Sequence, residues 1–261
     1  MKRRQIPIIM TLICSIFVAN AQDSKPIVKS KQQVVKSQSN QTSNAYGTVT
    51  DIDGNEYKTV KIGNQIWMAE NLKTSHYNDG TPIPNVTGDI EWKNLKKGAY
   101  CYYDNEIKNN AIYGKLYNWY AVNTGKLAPK GWHVPTHEEW SSLITYLGGK
   151  YIAGGKMKSI SYWVGDDGSP FMDEKGNPIG LGLYSNQVGS NSSGFNGLPA
   201  GTRSFNDGSS YGIGIDCNFW SSTEYKTGFA WGYSLQAHNS YCFGTYYLII
   251  TDGFSVRCIK D

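Results

Sequence analysis

Short apolar runs separated by turn residues fill the chain after residue 45, and this pattern restricts it to a fold with many short strands. The stretch GTVTDIDGNEYKTVKIGNQIWMAENL alternates apolar and polar residues around two hairpin turn signals, Asp53-Gly54-Asn55 and Gly63-Asn64. The stretches NFWSSTEY, FAWGYSLQ and YLIITDGFSVRCIKD return to aromatic and β-branched alternation. We therefore predict hairpins at the start of the domain and three or four antiparallel strands at its end.

Two segments have apolar residues at helical spacing. YGKLYNWYAVNTG predicts a first helix that buries Leu116, Trp119 and Tyr120 and ends at Gly125. The second helix is predicted to begin after Thr136, an N-cap with Glu139 as its capping-box partner, and to run to about residue 147. With the strands, these helices predict an α+β domain over residues 46–261.

The stretch GWHVPTHEEW contains two histidines at i, i+4 spacing, His133 and His137, which on one helical face could bind zinc. Pro135 disfavours helical angles at Val134, so His133 is predicted to lie in an extended segment outside the helix. We therefore favour a capped helix start over a metal site.

The first 21 residues have a basic start, an apolar run and an Ala19-Asn20-Ala21 cleavage site, which predicts a secretory signal peptide cut after Ala21. A lipoprotein anchored at Cys14 is the alternative, but Ile13 is large for a lipobox. Residues 22–45 are polar and predict a flexible linker. The mature protein is expected to be secreted or displayed at the cell surface, without a transmembrane segment.

The positive charge of the chain lies in these two N-terminal segments. The predicted signal peptide and the linker each have a net charge of +3. Because the whole chain has a net charge of +4, the domain itself has a net charge near −2. A near-neutral domain has no electrostatic footprint for nucleic acid, so we predict no nucleic-acid partner.

Four cysteines remain after cleavage, and an even number in an exported chain predicts two disulfides. They are Cys101, Cys217, Cys242 and Cys258, none of which forms a CxxC motif. The sequence alone leaves all three pairings open.

The segment from Trp163 to about Asp216 is dense in Gly, Ser, Asn, Asp and Pro. It is too long for a simple connection in a compact domain, so we predict a long ordered loop region that forms a functional surface.

Eight stretches in this order resemble the Fibrobacter succinogenes major paralogous domain: GNQIWMAENL, YNDGTPIPN, GAYCYYDN, YGKLYNWYAV, GWHVPTHEEW, GFNGLPAGTR, FWSSTEY and GFSVRCIKD. That family is in turn similar to the C-type-lectin-like fold of the formylglycine-generating and sulfatase-modifying enzymes. The resemblance implies two helices, short antiparallel sheets and a long ordered loop region. It also implies the disulfide pairs Cys101–Cys258 and Cys217–Cys242.

Recognition of a glycan or another cell-surface ligand, such as a surface protein, is the predicted function. The chain has 8 Trp and 19 Tyr, and flat aromatic rings stack on sugar faces. The aromatic residues outside the family motifs are the freer candidates: Trp92, Trp163, Trp231, Tyr184, Tyr211 and Tyr246. The predicted ligand contacts, all in the loop region, are Trp163, Arg203, Asn206, Asp207 and Tyr211. Arg203 could equally brace the loop through backbone carbonyls.

Calcium is the one cofactor that the loop region could bind, through Asp166, Asp167 and Asp216. The alternative is that these acids are solvated turn residues. The Glu-Pro-Asn-like and Trp-Asn-Asp-like motifs of calcium-dependent lectins are absent, which disfavours calcium-mediated sugar binding.

Catalysis is not predicted. A formylglycine-generating enzyme needs two nearby cysteines, and here the last two, Cys242 and Cys258, are far apart in sequence. None of the four histidines lies in a recognised hydrolase signature. A structural or adhesive surface protein remains a third alternative to a glycan-binding module or an enzyme.

Overall fold

The computed structural model describes residues 45–164 and 189–261. Within these ranges the strands are β1 (Ala45–Thr50), β2 (Glu56–Ile62), β3 (Gln65–Met68), β4 (Tyr100–Cys101), β5 (Leu116–Tyr117), β6 (Trp132–His133), β7 (Ala200–Arg203), β8 (Ser210–Ile213), β9 (Asp216–Lys226), β10 (Phe229–Gln236), β11 (Cys242–Ile249) and β12 (Ile259–Lys260). The helices are α1 (Asp89–Lys93), α2 (Lys108–Tyr113), α3 (Trp119–Val122), α4 (His137–Tyr146) and α5 (Ala153–Met157). The described part of the chain is thus mixed, with many short strands and few helices. The predicted signal peptide and linker lie outside it, except that β1 begins at Ala45, the last residue assigned to the linker.

The first sheet has the strand order β1-β2-β3-β12-β6 and is antiparallel throughout. Both predicted hairpin turns are confirmed. In the first, Asp51 Oδ1 accepts hydrogen bonds from the backbone N–H groups of Asp53 and Asn55, each at 2.9 Å. In the second, Gly63 has a φ of 61°, a left-handed conformation that glycine adopts without steric cost.

The second sheet has the order β11-β10-β9-β7-β8, and β4 and β5 form a separate pair. The strand pairs of this second sheet are antiparallel except for β7 and β9, which run parallel where Gly201 lies opposite Cys217. The four predicted closing strands are present as β9 to β12. The predicted long ordered loop region contains two strands, β7 and β8, which extend the second sheet. Residues 165–188 of that predicted loop lie outside the described residues.

Helix α4 forms as predicted. The hydroxyl of Thr136 accepts a hydrogen bond from the backbone N–H of Glu139 at 3.2 Å, and the Glu139 carboxylate accepts one from the backbone N–H of Thr136 at 2.8 Å. This reciprocal capping box satisfies two donors that would otherwise lack partners at the helix start. Trp140, Leu143 and Ile144 lie on the buried side of the helix.

The extended conformation of His133 is also confirmed, because His133 belongs to β6 and lies before the helix. Its ring nitrogens contact two carboxylates, Asp261 at 2.7 Å and Glu139 at 2.9 Å. Burial lowers the pKa of His133, but the hydrogen bonds and charges of Asp261 and Glu139 outweigh it and raise the pKa overall.

The first predicted helix is wrong over half of its length. Leu116 and Tyr117 form β5, paired with Cys101 and Tyr100. Gly114 separates this strand from α2 with a φ of 73°, which a regular helix cannot contain. The helix is limited to α3, where the Asn118 side chain accepts a hydrogen bond from the backbone N–H of Ala121 at 3.2 Å.

The core between α4 and the second sheet is aromatic. The Trp140 ring stacks on Tyr233 at 4.8 Å and contacts Trp67 at 4.9 Å. Arg257 is fully buried beside this core and donates hydrogen bonds to four oxygen atoms, those of Asn71, Met68, Phe195 and Asn196. A buried cation needs such partners, and here they join the segment after β3 to the segment before β7.

Neither predicted disulfide is present: all four cysteines are buried free thiols. Cys217 and Cys242 both lie opposite Leu235, from the strands on either side of β10. Two strand spacings separate their Cα atoms by roughly 9 to 10 Å, whereas a disulfide requires less than about 7 Å. Cys101 and Cys258 pack in different hydrophobic clusters. Burial raises the pKa of Cys101 and Cys217 to about 12, as expected of unreactive structural thiols.

Among the described residues, none of the helices is long and apolar enough to cross a membrane.

Candidate functional site

Two of the predicted ligand contacts lie in the interior. Trp163 is buried, and its indole N–H donates to the Ser159 hydroxyl at 3.0 Å. The buried guanidinium of Arg203 donates to the carbonyl oxygens of Val86 and Thr87 and to the side chains of Asn105 and Asp89. Arg203 therefore braces the segment around α1, and neither side chain presents a surface to a ligand.

The other three predicted contacts are exposed: Asn206 and Asp207 lie in the turn between β7 and β8, and Tyr211 lies on β8. Tyr211 donates its hydroxyl proton to the Asp207 carboxylate at 2.5 Å, and this hydrogen bond lowers the pKa of Asp207. Asn206 is exposed beside them. The structure therefore brings Asp207 and Tyr211 together, but as partners of each other.

The predicted calcium ligands do not form a site in the described residues. Asp166 and Asp167 lie outside those residues, and Asp216 is partly buried at the start of β9. Within residues 45–164 and 189–261, no group of three or more His, Cys, Asp or Glu side chains could hold a metal ion.

An exposed aromatic patch lies where β9, β10 and β11 run past the start of α4. We define the aromatic patch as Tyr225 of β9, Trp231 of β10, Tyr246 and Tyr247 of β11, and His137 of α4. The three tyrosines are 46%, 42% and 62% exposed, and Trp231 is half-buried beneath them. Exposed aromatic clusters of this kind mark interaction surfaces, because a soluble protein otherwise buries such rings.

The rings of the patch contact one another. The centroid of Tyr246 lies 4.6 Å from that of Tyr225 and 5.2 Å from that of Trp231. Tyr247 adds a fourth ring, 5.3 Å from Tyr246. Side chains from three neighbouring strands thus form one continuous surface.

Irregular strand pairing places these rings side by side. On one side of β10, Ala230 pairs with Leu248 and Gly232 with Thr245, so Tyr246 and Tyr247 together oppose Trp231. On the other side, Phe229 pairs with Lys226 and Ala230 with Glu224, which leaves Tyr225 without a paired residue. In a β-bulge the extra residue leaves the regular alternation and its side chain is redirected. Tyr225 is the extra residue of one irregularity, and Tyr246 and Tyr247 together face Trp231 in the other, so all three exposed tyrosines lie at these two sites.

His137 forms the floor of the patch, as the first residue of α4. Its backbone N–H donates to the Thr223 hydroxyl at 2.9 Å, and its ring lies 3.7 Å from Trp231, covering one face of the indole. The Tyr233 hydroxyl lies 2.8 Å from Nδ1 of His137. These contacts fix the His137 ring against β10 and support Trp231 from below.

Exposed charged residues adjoin the aromatic patch in sequence. Glu138 follows His137, and Glu224 and Lys226 flank Tyr225. Among the described residues, none of these three charged groups forms an ion pair. Carboxylates and a lysine beside exposed rings can hydrogen-bond to a polar ligand that stacks on the rings.

Sequence reasoning found two members of the patch, Trp231 and Tyr246, among the freer aromatic residues. It missed Tyr225, Tyr247 and the ring of His137. Of the other free aromatic candidates, Trp92 and Trp163 are buried, and Tyr184 lies outside the described residues. The available signal was the adjacent pair Tyr246-Tyr247 in β11.

The fold and the patch define a mixed domain of short strands and few helices with an exposed aromatic surface on one sheet. The chain belongs to the Fibrobacter succinogenes major domain family, whose profile matches residues 60–260. This match confirms the resemblance seen in the eight sequence stretches, and it includes every residue of the aromatic patch. No curated protein and no solved structure gives a significant match.

Proposed function

We propose that this protein is a non-catalytic recognition module that binds carbohydrate through the aromatic patch. The observation that carries the proposal is the cluster of three exposed tyrosines around Trp231, each placed by a pairing irregularity. Tyrosine offers a flat apolar face to the C–H groups of a sugar and a hydroxyl to its polar edge. Irregular strand pairing is common beside functional sites, where it redirects a side chain.

Two further features of the proposal come from the sequence. The basic and apolar N-terminal segment supports export, so that the module would meet ligands outside the cell. The family resemblance supports a C-type-lectin-like arrangement of the sheets. The absence of a disulfide removes the cysteine count as an argument for export, which therefore depends on the N-terminal segment alone.

A non-catalytic role is supported by the state of the groups that could do chemistry. The four thiols are buried, and burial raises their pKa values, so a thiol-dependent oxidase would lack its reactive cysteines.

Glycan-array binding by the purified protein tests this proposal, with one arm in calcium and one in chelator. We expect reproducible binding to one glycan class, and an approximately tenfold loss of affinity, about 1.4 kcal/mol, in Tyr246→Ala and Tyr247→Ala. These side chains are exposed, so both variants should unfold at nearly the wild-type temperature.

Tyr211→Ala is the matched control, because Tyr211 is a comparably exposed tyrosine on β8, just after the turn between β7 and β8. Loss of binding in Tyr211→Ala but not in the patch variants would move the site to that turn. A flat array with folded protein would refute carbohydrate recognition and favour a protein-binding or adhesive role. The chelator arm reports whether a calcium ion takes part.

A further inference from the structure

The exposed tyrosine rings of the aromatic patch are tilted steeply against one another and against Trp231. The planes of Tyr225 and Tyr246 meet at 50°, those of Trp231 and Tyr246 at 57°, and those of Tyr225 and Trp231 at 87°. Tyr247 stands at 87° to Tyr246. In none of these four pairs are the two ring planes close to parallel.

The angles between the rings determine what shape of ligand can stack on several rings at once. A crystalline polysaccharide presents its sugar rings in one plane, and a protein surface that binds it must offer coplanar aromatic rings. On the patch, a flat ligand that stacks on Tyr246 would meet Tyr225 and Trp231 at steep angles. A single chain can rotate about its glycosidic bonds and turn successive sugars to face successive rings.

The charges beside the patch restrict the ligand further. Glu138 and Glu224 are exposed carboxylates next in sequence to His137 and Tyr225, and Lys226, whose ammonium lies 5.8 Å from the centre of the Tyr225 ring, is the single cation adjoining them in the same stretches of sequence. A uronic acid or sulfated sugar would meet a net negative surface, which disfavours association at low ionic strength. Sugar hydroxyls can instead donate hydrogen bonds to both carboxylates.

We infer that the aromatic patch selects single, non-crystalline chains of neutral sugars over crystalline polysaccharide surfaces and over acidic polysaccharides. The inference rests on the proposed function, since it names the ligand class of the same patch. It is carried by the angles between the rings and by the adjoining carboxylates.

The test compares three classes of probe with the wild-type protein. The soluble neutral probes are cellohexaose, xylohexaose and mannohexaose; the acidic probe is polygalacturonate; and the crystalline probes are microcrystalline cellulose and chitin. Calorimetry measures the soluble probes, and sedimentation with the solid measures the crystalline ones. We expect binding to at least one neutral oligosaccharide, about tenfold weaker binding to polygalacturonate and no retention on either solid.

Two variants separate the parts of the inference. Tyr246→Ala should weaken oligosaccharide binding about tenfold, because it removes the central ring. Glu138→Gln combined with Glu224→Gln should raise the affinity for polygalacturonate, with a smaller gain in high salt because salt screens exposed charges. Both glutamates are exposed, so the double variant should fold as the wild type does.

The failures are distinguishable. Retention on crystalline cellulose or chitin that Tyr246→Ala removes would overturn the inference while leaving carbohydrate binding through the patch intact. Equal or tighter binding of polygalacturonate would also overturn it. Absence of binding to every probe, together with a flat glycan array, would refute the proposed function and with it this inference.

Discussion

Asp252 is a buried carboxylate whose replacement by asparagine should stabilise the protein at neutral and alkaline pH. It lies in the turn after β11, where its Oδ1 accepts a hydrogen bond from the backbone N–H of Phe205 at 2.9 Å. Its side chain forms no ion pair with any other described residue. Burial raises the pKa of Asp252 to about 7, although hydrogen bonds to the backbone oppose the shift. Asparagine keeps an acceptor oxygen at this position without the charge.

The size of the effect follows from the difference between the folded and unfolded states. An aspartate in an unfolded chain has a pKa of about 3.9, and each unit of difference corresponds to about 1.4 kcal/mol. Because the folded pKa is raised, the stabilising contribution is fully present below the unfolded pKa and is lost as the pH rises through the folded pKa. Ionisation of Asp252 therefore costs up to about 4 kcal/mol at pH 8, and roughly 2 to 3 kcal/mol of this appears between pH 5 and pH 8.

Urea unfolding of the wild type and Asp252→Asn at pH 5, 6, 7 and 8 measures this difference. We expect the free energy of unfolding of Asp252→Asn to exceed that of the wild type by an amount that grows with pH. Comparing the difference across pH removes any constant effect of the substitution itself. A difference that stays constant to within about 0.5 kcal/mol over this range would refute the argument that the buried charge is unfavourable.

Three other predictions concern the ends of elements and the thiols. Thr136→Ala removes the N-cap of α4 and should lower the free energy of unfolding by about 1 kcal/mol in urea, whereas Ser142→Ala on the exposed side of the helix should change it by less than about 0.5 kcal/mol. The stability that protonated His133 contributes is present below its unfolded pKa and is lost as the pH rises through its raised folded pKa, so His133→Gln should flatten the dependence of the melting temperature on pH between about 6 and 8. In the absence of reductant, maleimide should label Cys101, Cys217, Cys242 and Cys258 only after the protein is unfolded. Labelling of fewer than these four in denaturant would contradict the conclusion that all four are free thiols.

Local signals in the sequence predicted the elements whose residues interact with near neighbours. Thr136 and Glu139 are three residues apart, so the capping box could be inferred without knowing the rest of the fold. The same is true of the turn at Gly63-Asn64, because a two-residue hairpin turn fixes the register of both flanking strands. The effect of Pro135 on the preceding residue was equally local, and it favoured a capped helix start over a zinc site at His133.

Interactions between distant residues caused the errors. Leu116 has helical spacing relative to Trp119 and Tyr120, but the pairing of Leu116 with Cys101 and of Tyr117 with Tyr100 overrides that preference. The even number of cysteines predicted disulfides, but Cys217 on β9 and Cys242 on β11 are separated by strand β10. The aromatic patch depends on where β9 and β11 slip against β10, and such slips are not visible in the hydrophobic pattern of any one strand.

The position of β12 determines when the first sheet can be completed during synthesis of the chain. Ile259 pairs with Trp67 on one side and with His133 on the other, so a strand from the last residues of the sequence fills the middle of the first sheet. While the ribosome is still synthesising residue 250, β3 and β6 have both emerged but lack the strand that joins them. The nascent chain must keep two unpaired strand edges from associating with other chains until Ile259 and Lys260 arrive. Chaperone binding to the nascent chain should therefore decrease once β12 has paired with β3 and β6.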